Sequence, residues 1–143
     1  MELFHKHRTA YRIIIIIAVL GVLAAAYATR VHYSTDSSSL CNLGTKFNCD
    51  VVNKGLYAEM FGVPISIFGM LGYIWMMVLA REMVIRPARR IRLMFAASIA
   101  FAAGFSMHLA WISSQLLSTW CIVCIASYIC TLAILGVFTW SEL

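Results

Sequence analysis

Apolar residues along this chain gather into four long blocks with short polar stretches between them. The first block, residues 13–29, opens on five consecutive isoleucines. The second, 64–80, holds Ile65, Ile67, Phe68 and Trp75; the third covers 93–112 and the fourth 120–140. Each is close to the ~20 residues that carry an α-helix across a bilayer core about 30 Å thick. Strands of a membrane barrel would be half as long and would alternate apolar with polar positions. The pattern therefore predicts an all-α integral membrane protein, a four-transmembrane-helix bundle. Only residues 113–119 join the third block to the fourth, which makes those two helices antiparallel neighbours.

The longest link, 30–63, starts with a Ser-rich stretch (Ser34, Ser37, Ser38, Ser39) that reads as a flexible connector. Its second half, 51–61, has apolar residues at mixed helical spacing and predicts a short amphipathic helix on the membrane surface. Pro64 then starts the second span, where its missing N–H costs nothing. Composition agrees: 62% of the 143 residues are hydrophobic and 12% charged, against roughly 45–50% and about 25% in soluble domains. A soluble globular enzyme and a disordered chain are both excluded. Four spans leave no room for a separate soluble domain, so residues 1–143 form one membrane domain. The basic start (Lys6, Arg8, Arg12) and Ala26-Tyr27-Ala28 imitate a cleavable leader. The apolar stretch is longer than the about 7–15 residues of such a leader, and the block reads as a retained span.

Lys and Arg set the orientation. Eight of them (Lys6, Arg8, Arg12, Arg81, Arg86, Arg89, Arg90, Arg92) share the side of the N-terminus and the 81–92 link. Three (Arg30, Lys46, Lys54) lie on the other side, so the first side is cytoplasmic. Acidic residues divide evenly, which puts the whole net charge of +5 on the inner face. That charge suits anionic membrane lipids; nothing in it points to nucleic acid.

The same topology sorts the five cysteines. Cys41 and Cys49 fall in the outer link, and Cys121 and Cys124 open the fourth span at its outer end; Cys130 lies deeper. Disulfides persist outside the cytoplasm, so two pairs there can be static staples of a structural four-span protein or redox partners. A zinc site is disfavoured by the seven-residue gap between Cys41 and Cys49 and by the apolar surroundings of Cys121 and Cys124. The Cys-x-x-Cys spacing favours redox chemistry, because residues three apart share a helix face and a helix N-terminus lowers a thiol pKa. At 100° per residue, Cys121, Cys124 and Tyr128 fall near about 0°, 300° and 340°, while Cys130 falls near about 180° as a packing residue. Thiol–disulfide exchange needs neither metal nor nicotinamide. No Gly-rich nucleotide motif is present, so the acceptor should be lipid-soluble, a quinone in the bundle interior.

These residues resemble the vitamin K epoxide reductase family over nearly the whole chain, 13–140. The shared pattern is Cys41-Asn42-Leu43-Gly44 with Cys49-Asp50; Gly62-Val63-Pro64 with Ser66-Ile67-Phe68-Gly69; Leu109-Ala110-Trp111-Ile112; and Cys121-Ile122-Val123-Cys124 followed by Tyr128. The other quinone-linked family, that of DsbB, carries its Cys-x-x-Cys on the early outer loop, the reverse order. The resemblance implies that Cys121 and Cys124 are the active-site pair, with Cys124 beside the quinone and able to form an adduct or charge-transfer complex with it. It implies that Cys49 exchanges with Cys121, and that Cys41 forms a mixed disulfide with a soluble thioredoxin-fold, DsbA-like partner. Tyr128, Ser66 and Phe68 would line the quinone site, with the surface helix near 56–61 capping it. Two positions depart from the family: Gly55 replaces a serine, and Ile65 replaces an asparagine that animal members use on the quinone. The second weakens the case for epoxide reduction, which needs a donor to the developing alkoxide. His108 is a further polar group in a span, read chiefly as an interhelical or interfacial residue.

The resulting expectation is a quinone-dependent thiol oxidase supporting disulfide formation, with ubiquinone, menaquinone or a vitamin K form as acceptor. Its alternative within the family is a vitamin K quinone or epoxide reductase. The expected setting is a bacterial inner membrane with the site on the periplasmic side, or else an endoplasmic reticulum membrane with a lumenal site.

Overall fold

A computed structural model of the chain describes residues 1–35, 42–44 and 46–143. Its frame is four long helices: α1 (Glu2–Tyr33), α3 (Ile65–Ile85), α4 (Arg89–Ile112) and α5 (Ile122–Glu142), with the short α2 (Cys49–Lys54) between the first two. All four long helices have the length and apolarity to cross a membrane. At 1.5 Å per residue the 32-residue α1 is about 48 Å long, well beyond one bilayer core.

α1 is the central packing element, set against both α3 and α5. Its buried face reads Ile14, Ala18, Gly21, Ala25, Ala28 and Val31, a stripe of mostly small residues that lets helix backbones approach closely in lipid. Ala26-Tyr27-Ala28 lies inside this helix, and Ala25 and Ala28 are buried, so α1 is part of the core. Gly21 marks the tightest approach: a Cβ there would lie 2.5 Å from the Tyr73 ring. The Tyr73 hydroxyl donates to the Ser127 carbonyl at 2.6 Å and lies 2.9 Å from the Thr131 hydroxyl. One side chain of α3 thus wedges over α1 and bonds to α5.

The main core runs from Tyr11, Ile14 and Ala18 through Tyr73, Met76 and Leu79 to Phe95, Ile99, Ile134 and Phe138. Tyr11 meets Phe95 edge-on with ring centres 5.8 Å apart. Ile16, Leu20, Leu71, Val78, Phe101 and Leu132 face outward, as lipid-facing positions should. At the Arg-rich end, Arg92 pairs with Glu142 at 3.2 Å and Lys6 stands 5.0 Å from the Trp140 ring centre. These contacts gather the N-terminus, the start of α4 and the end of α5 at one end of the bundle.

The outer link departs from its expected form. The Ser-rich connector falls mostly on 36–41, outside the described residues. The short helix begins at Cys49 itself rather than at 51, because Asn48 caps it: its side chain accepts from the Asp50 and Val51 N–H groups at 3.0 and 3.2 Å. It ends at Gly55, and 56–61 is not helical. A turn leads instead into a two-stranded antiparallel hairpin, β1 (Glu59–Met60) and β2 (Val63–Pro64). Phe61 (φ 56°) and Gly62 (φ 77°) supply the two positive-φ residues of its tight turn. Pro64 consequently ends β2 and caps α3, which starts one residue later. At the other outer connection α4 continues into a π-helical turn, Ser113–Leu117, closed by Ser118 in the left-handed region (φ 49°).

Candidate functional site

A backbone clip joins the outer link to the start of α5. The Trp120 N–H donates to the Lys46 carbonyl at 2.7 Å, and the Asn48 N–H donates to the Trp120 carbonyl at 3.0 Å. Phe47 and Trp120 therefore pair as an isolated parallel β-bridge. Phe47 lies two residues before Cys49 and Trp120 one before Cys121, so the clip sets Cys49 opposite Cys121. The Asn42 side chain secures the same segment, accepting from the Cys49 N–H at 3.1 Å and donating to Asp50.

The result is a buried sulfur cluster. Cys49 and Cys121 are both essentially inaccessible, with Val31, Tyr27, Val52 and Cys124 around them. Cys121 Sγ lies 2.9 Å from Cys49 Sγ. Cys49 is disulfide-bonded, whereas Cys121, Cys124 and Cys130 are free. Cys41 lies outside the described residues.

Cys121 does not lie inside the helix, as the 120–140 span implied, but is its N-cap, in extended conformation (φ −104°, ψ 122°). The bridge at Trp120 holds the chain extended up to that point. Its sulfur accepts from the Cys124 N–H at 3.4 Å and from Asn53 Nδ2 at 3.3 Å. The Cys121 thiol is lowered to about 7, chiefly by the hydrogen bond from the Cys124 thiol, with help from the Cys124 and Val123 N–H groups and Asn53, against the opposing effect of burial. A thiol in this range is a substantial fraction thiolate near neutrality, the form that exchanges with disulfides.

Behind the sulfurs the bundle encloses a cavity of about 390 Å³ lined mainly by apolar side chains. Cys124, Tyr128, Ser66 and Phe68 all contribute to its wall, as do Ile65, Asn53, His32, Tyr73 and Ser113. The size is in the range of small-molecule sites, and a mostly apolar wall with a few polar groups is their usual chemistry. Residues 56–61 reach the cavity through Tyr57, Ala58 and Met60 of the turn and hairpin, while Leu56 and Phe61 point away and are exposed. At the mouth, His32 contacts the Asn53 carbonyl through Nδ1 and Glu59 at 3.0 Å through Nε2.

Other candidates fall elsewhere. Cys130 packs against the main core, away from the sulfur cluster. His108 is exposed on α4 and does not line the cavity. Gly55 has no room for a side chain as it stands, since a Cβ would lie 2.8 Å from the Val51 carbonyl oxygen. Asn53 and His32 went unrecognised in the sequence. The signal for Asn53 was its place four residues after Cys49, one helical turn on, and it becomes legible only once the helix is known to start at Cys49.

A family model, the Vitamin K epoxide reductase family, matches residues 12–139 of the 143. The chain belongs to that family. No curated protein sequence matches it. The chain is thus a multi-pass membrane oxidoreductase of the quinone-linked thiol-oxidising or vitamin K-reducing kind.

Proposed function

We propose that this member of the vitamin K epoxide reductase family is a thiol oxidase that reoxidises a soluble thioredoxin-fold protein of the DsbA type. Electrons pass from the partner to Cys41 and Cys49, then to Cys121 and Cys124, and finally to a quinone. The observation that carries this reading is the 2.9 Å approach of Cys121 Sγ to Cys49 Sγ, with one sulfur in a disulfide and the other a free thiol. That pair of states is the product side of an exchange. In the forward step the Cys41 thiolate attacks Cys49 Sγ of a Cys49–Cys121 disulfide, the Cys41–Cys49 bond forms, and Cys121 leaves as a thiolate. Bonds and electrons balance within these three sulfurs.

The cavity fits a quinone in size and in the chemistry of its wall. Ser66, Phe68 and Tyr128 would hold the ring, with Cys124 on the same wall. A bound quinone supplies the two-electron acceptor that the thiols lack. The apolar walls exclude water, and burial of Cys49 and Cys121 keeps outside thiols from short-circuiting the pair. The compartment is read from charge: the sulfur cluster lies at the end opposite the Arg-rich one, which suits a periplasmic site in a bacterial inner membrane.

The test is quinone reduction by purified protein given a reduced DsbA-like partner. Partners of this type are strong oxidants, near about −120 mV, so the acceptor must draw the sequence forward. Without quinone, oxidation of the partner should stop after roughly stoichiometric exchange with the protein's own disulfides; quinone should restore turnover. Cys41→Ser should block the partner reaction while sparing a small apolar dithiol that enters the cavity and attacks the Cys121–Cys124 pair at the more exposed Cys124. Sustained partner oxidation under anaerobic, quinone-free conditions would refute the acceptor.

A further inference from the structure

We infer that Asn53 is a catalytic residue of the sulfur exchange: its side-chain amide donates to Cys121 Sγ and stabilises the thiolate that Cys121 becomes on leaving Cys49. The inference rests on the relay proposed above.

Asn53 lies one turn beyond Cys49 in α2, so both face the same way. Its amide nitrogen has two N–H bonds, and both have acceptors: the Cys49 carbonyl at 2.9 Å and Cys121 Sγ at 3.3 Å. The first bond fixes the side-chain orientation, so the second donor is already aimed before charge develops. Such preorganised donors stabilise a forming anion without reorganisation at the moment of reaction. The residue is 8% exposed, and a donor shielded from water acts more strongly than one in solvent. His32 holds the Asn53 backbone through its carbonyl, and Glu59 holds His32 at 3.0 Å.

A second donor reaches the same sulfur from another direction, the Cys124 N–H at 3.4 Å. One donor belongs to α2 and the other to α5. The anion site around Cys121 is therefore complete only when the outer link is clipped onto Trp120, which is also the condition for Cys49 to be in reach. Docking of the link and activation of the leaving sulfur are one event. In the exchange, the Cys49–Cys121 bond breaks with its electron pair going to Cys121 Sγ, where both donors receive it, and no proton has to arrive. Gly55 has no side chain to contribute, which leaves Asn53 as the side-chain amide on this sulfur.

The test uses Asn53→Leu, which keeps the size and removes the donor. In protein carrying Cys124→Ala and Cys130→Ser, with the loop disulfide intact, Cys121 is the one free thiol, and its ultraviolet thiolate absorbance against pH reports its thiolate fraction without any reagent having to reach the buried sulfur. Asn53→Leu should move the midpoint up by about one unit or more, since a hydrogen bond to a charged group is worth at least a tenfold effect. In the otherwise unaltered chain, quinone-coupled turnover should fall at least about tenfold with KM for the partner unchanged. An unchanged midpoint overturns the inference. Because Asn53→Leu can also disturb α2, a second measurement uses the unaltered protein: in NMR spectra the Asn53 side-chain amide should titrate with Cys121, while those of Asn42 and Asn48 should not. An Asn53 amide indifferent to Cys121 overturns the inference as well. Failure of the relay itself reads differently, as the absence of a trapped Cys49–Cys121 disulfide in Cys41→Ser protein.

Discussion

The three cysteines of the fourth helical region have distinct surroundings. Cys121 caps α5 and faces Cys49, Cys124 lines the cavity, and Cys130 packs into the main core among apolar neighbours. Cys130→Ser should therefore retain most of the activity, losing at most about 1–2 kcal/mol of stability from a hydroxyl placed against an apolar surface. Serine at Cys49, Cys121 or Cys124 should abolish partner oxidation. Quinone-reduction assays on the four variants check this; equal damage from Cys130→Ser and Cys124→Ser would mean that the rotation of α5 is wrong. The angular arithmetic separated Cys130 from Cys124 without coordinates, since helical periodicity is a local property. It missed the conformation of Cys121, which the bridge at Trp120 holds outside the helix.

Between elements, the deciding contacts are close approaches that small residues permit. Gly21 sits beneath the Tyr73 ring, and Tyr73 in turn bonds to Ser127 and Thr131 of α5. Gly21→Ala would put a methyl group 2.5 Å from an aromatic carbon, and the ring cannot retreat without breaking its hydrogen bonds. We expect a loss of about 1–3 kcal/mol, the usual cost of overpacking, seen as a lower thermal denaturation midpoint in detergent. Phe at position 73 should recover part of the loss, because the ring is then free to shift. A glycine in a transmembrane block is visible in sequence, but its partner is 52 positions away on another helix, and no spacing rule links the two.

For the whole molecule, the Arg-rich end and the sulfur end are opposite, and on the charge count we expect the first to face the cytoplasm. Reporter fusions after Leu43 and after Arg89 should report opposite sides of the membrane, with Arg89 inside. Both reporters on one side would remove the compartment argument, and an oxidising setting for Cys41 and Cys49 with it.

The amino-acid sequence by itself determined the four spans and set the expectation that Cys49, Cys121 and Cys124 gather at the end away from the Arg-rich link. These are set by partition of side chains between lipid and water and by helical periodicity, both local properties. Only the tertiary structure decided how the pairs meet. The clip between 46–48 and Trp120 is made of main-chain N–H and carbonyl groups, which every residue but proline carries, so no side-chain pattern announces it. The start of α2 at Cys49 follows from the Asn48 cap and the Asn42 contact, and with it comes the turn that aims Asn53 at Cys121. A one-residue difference in that start would rotate Asn53 by about 100°. The chemistry of the sulfurs was legible in the residue types; the donor that stabilises them was not, because its direction depends on a helix boundary and on a partner 68 positions away.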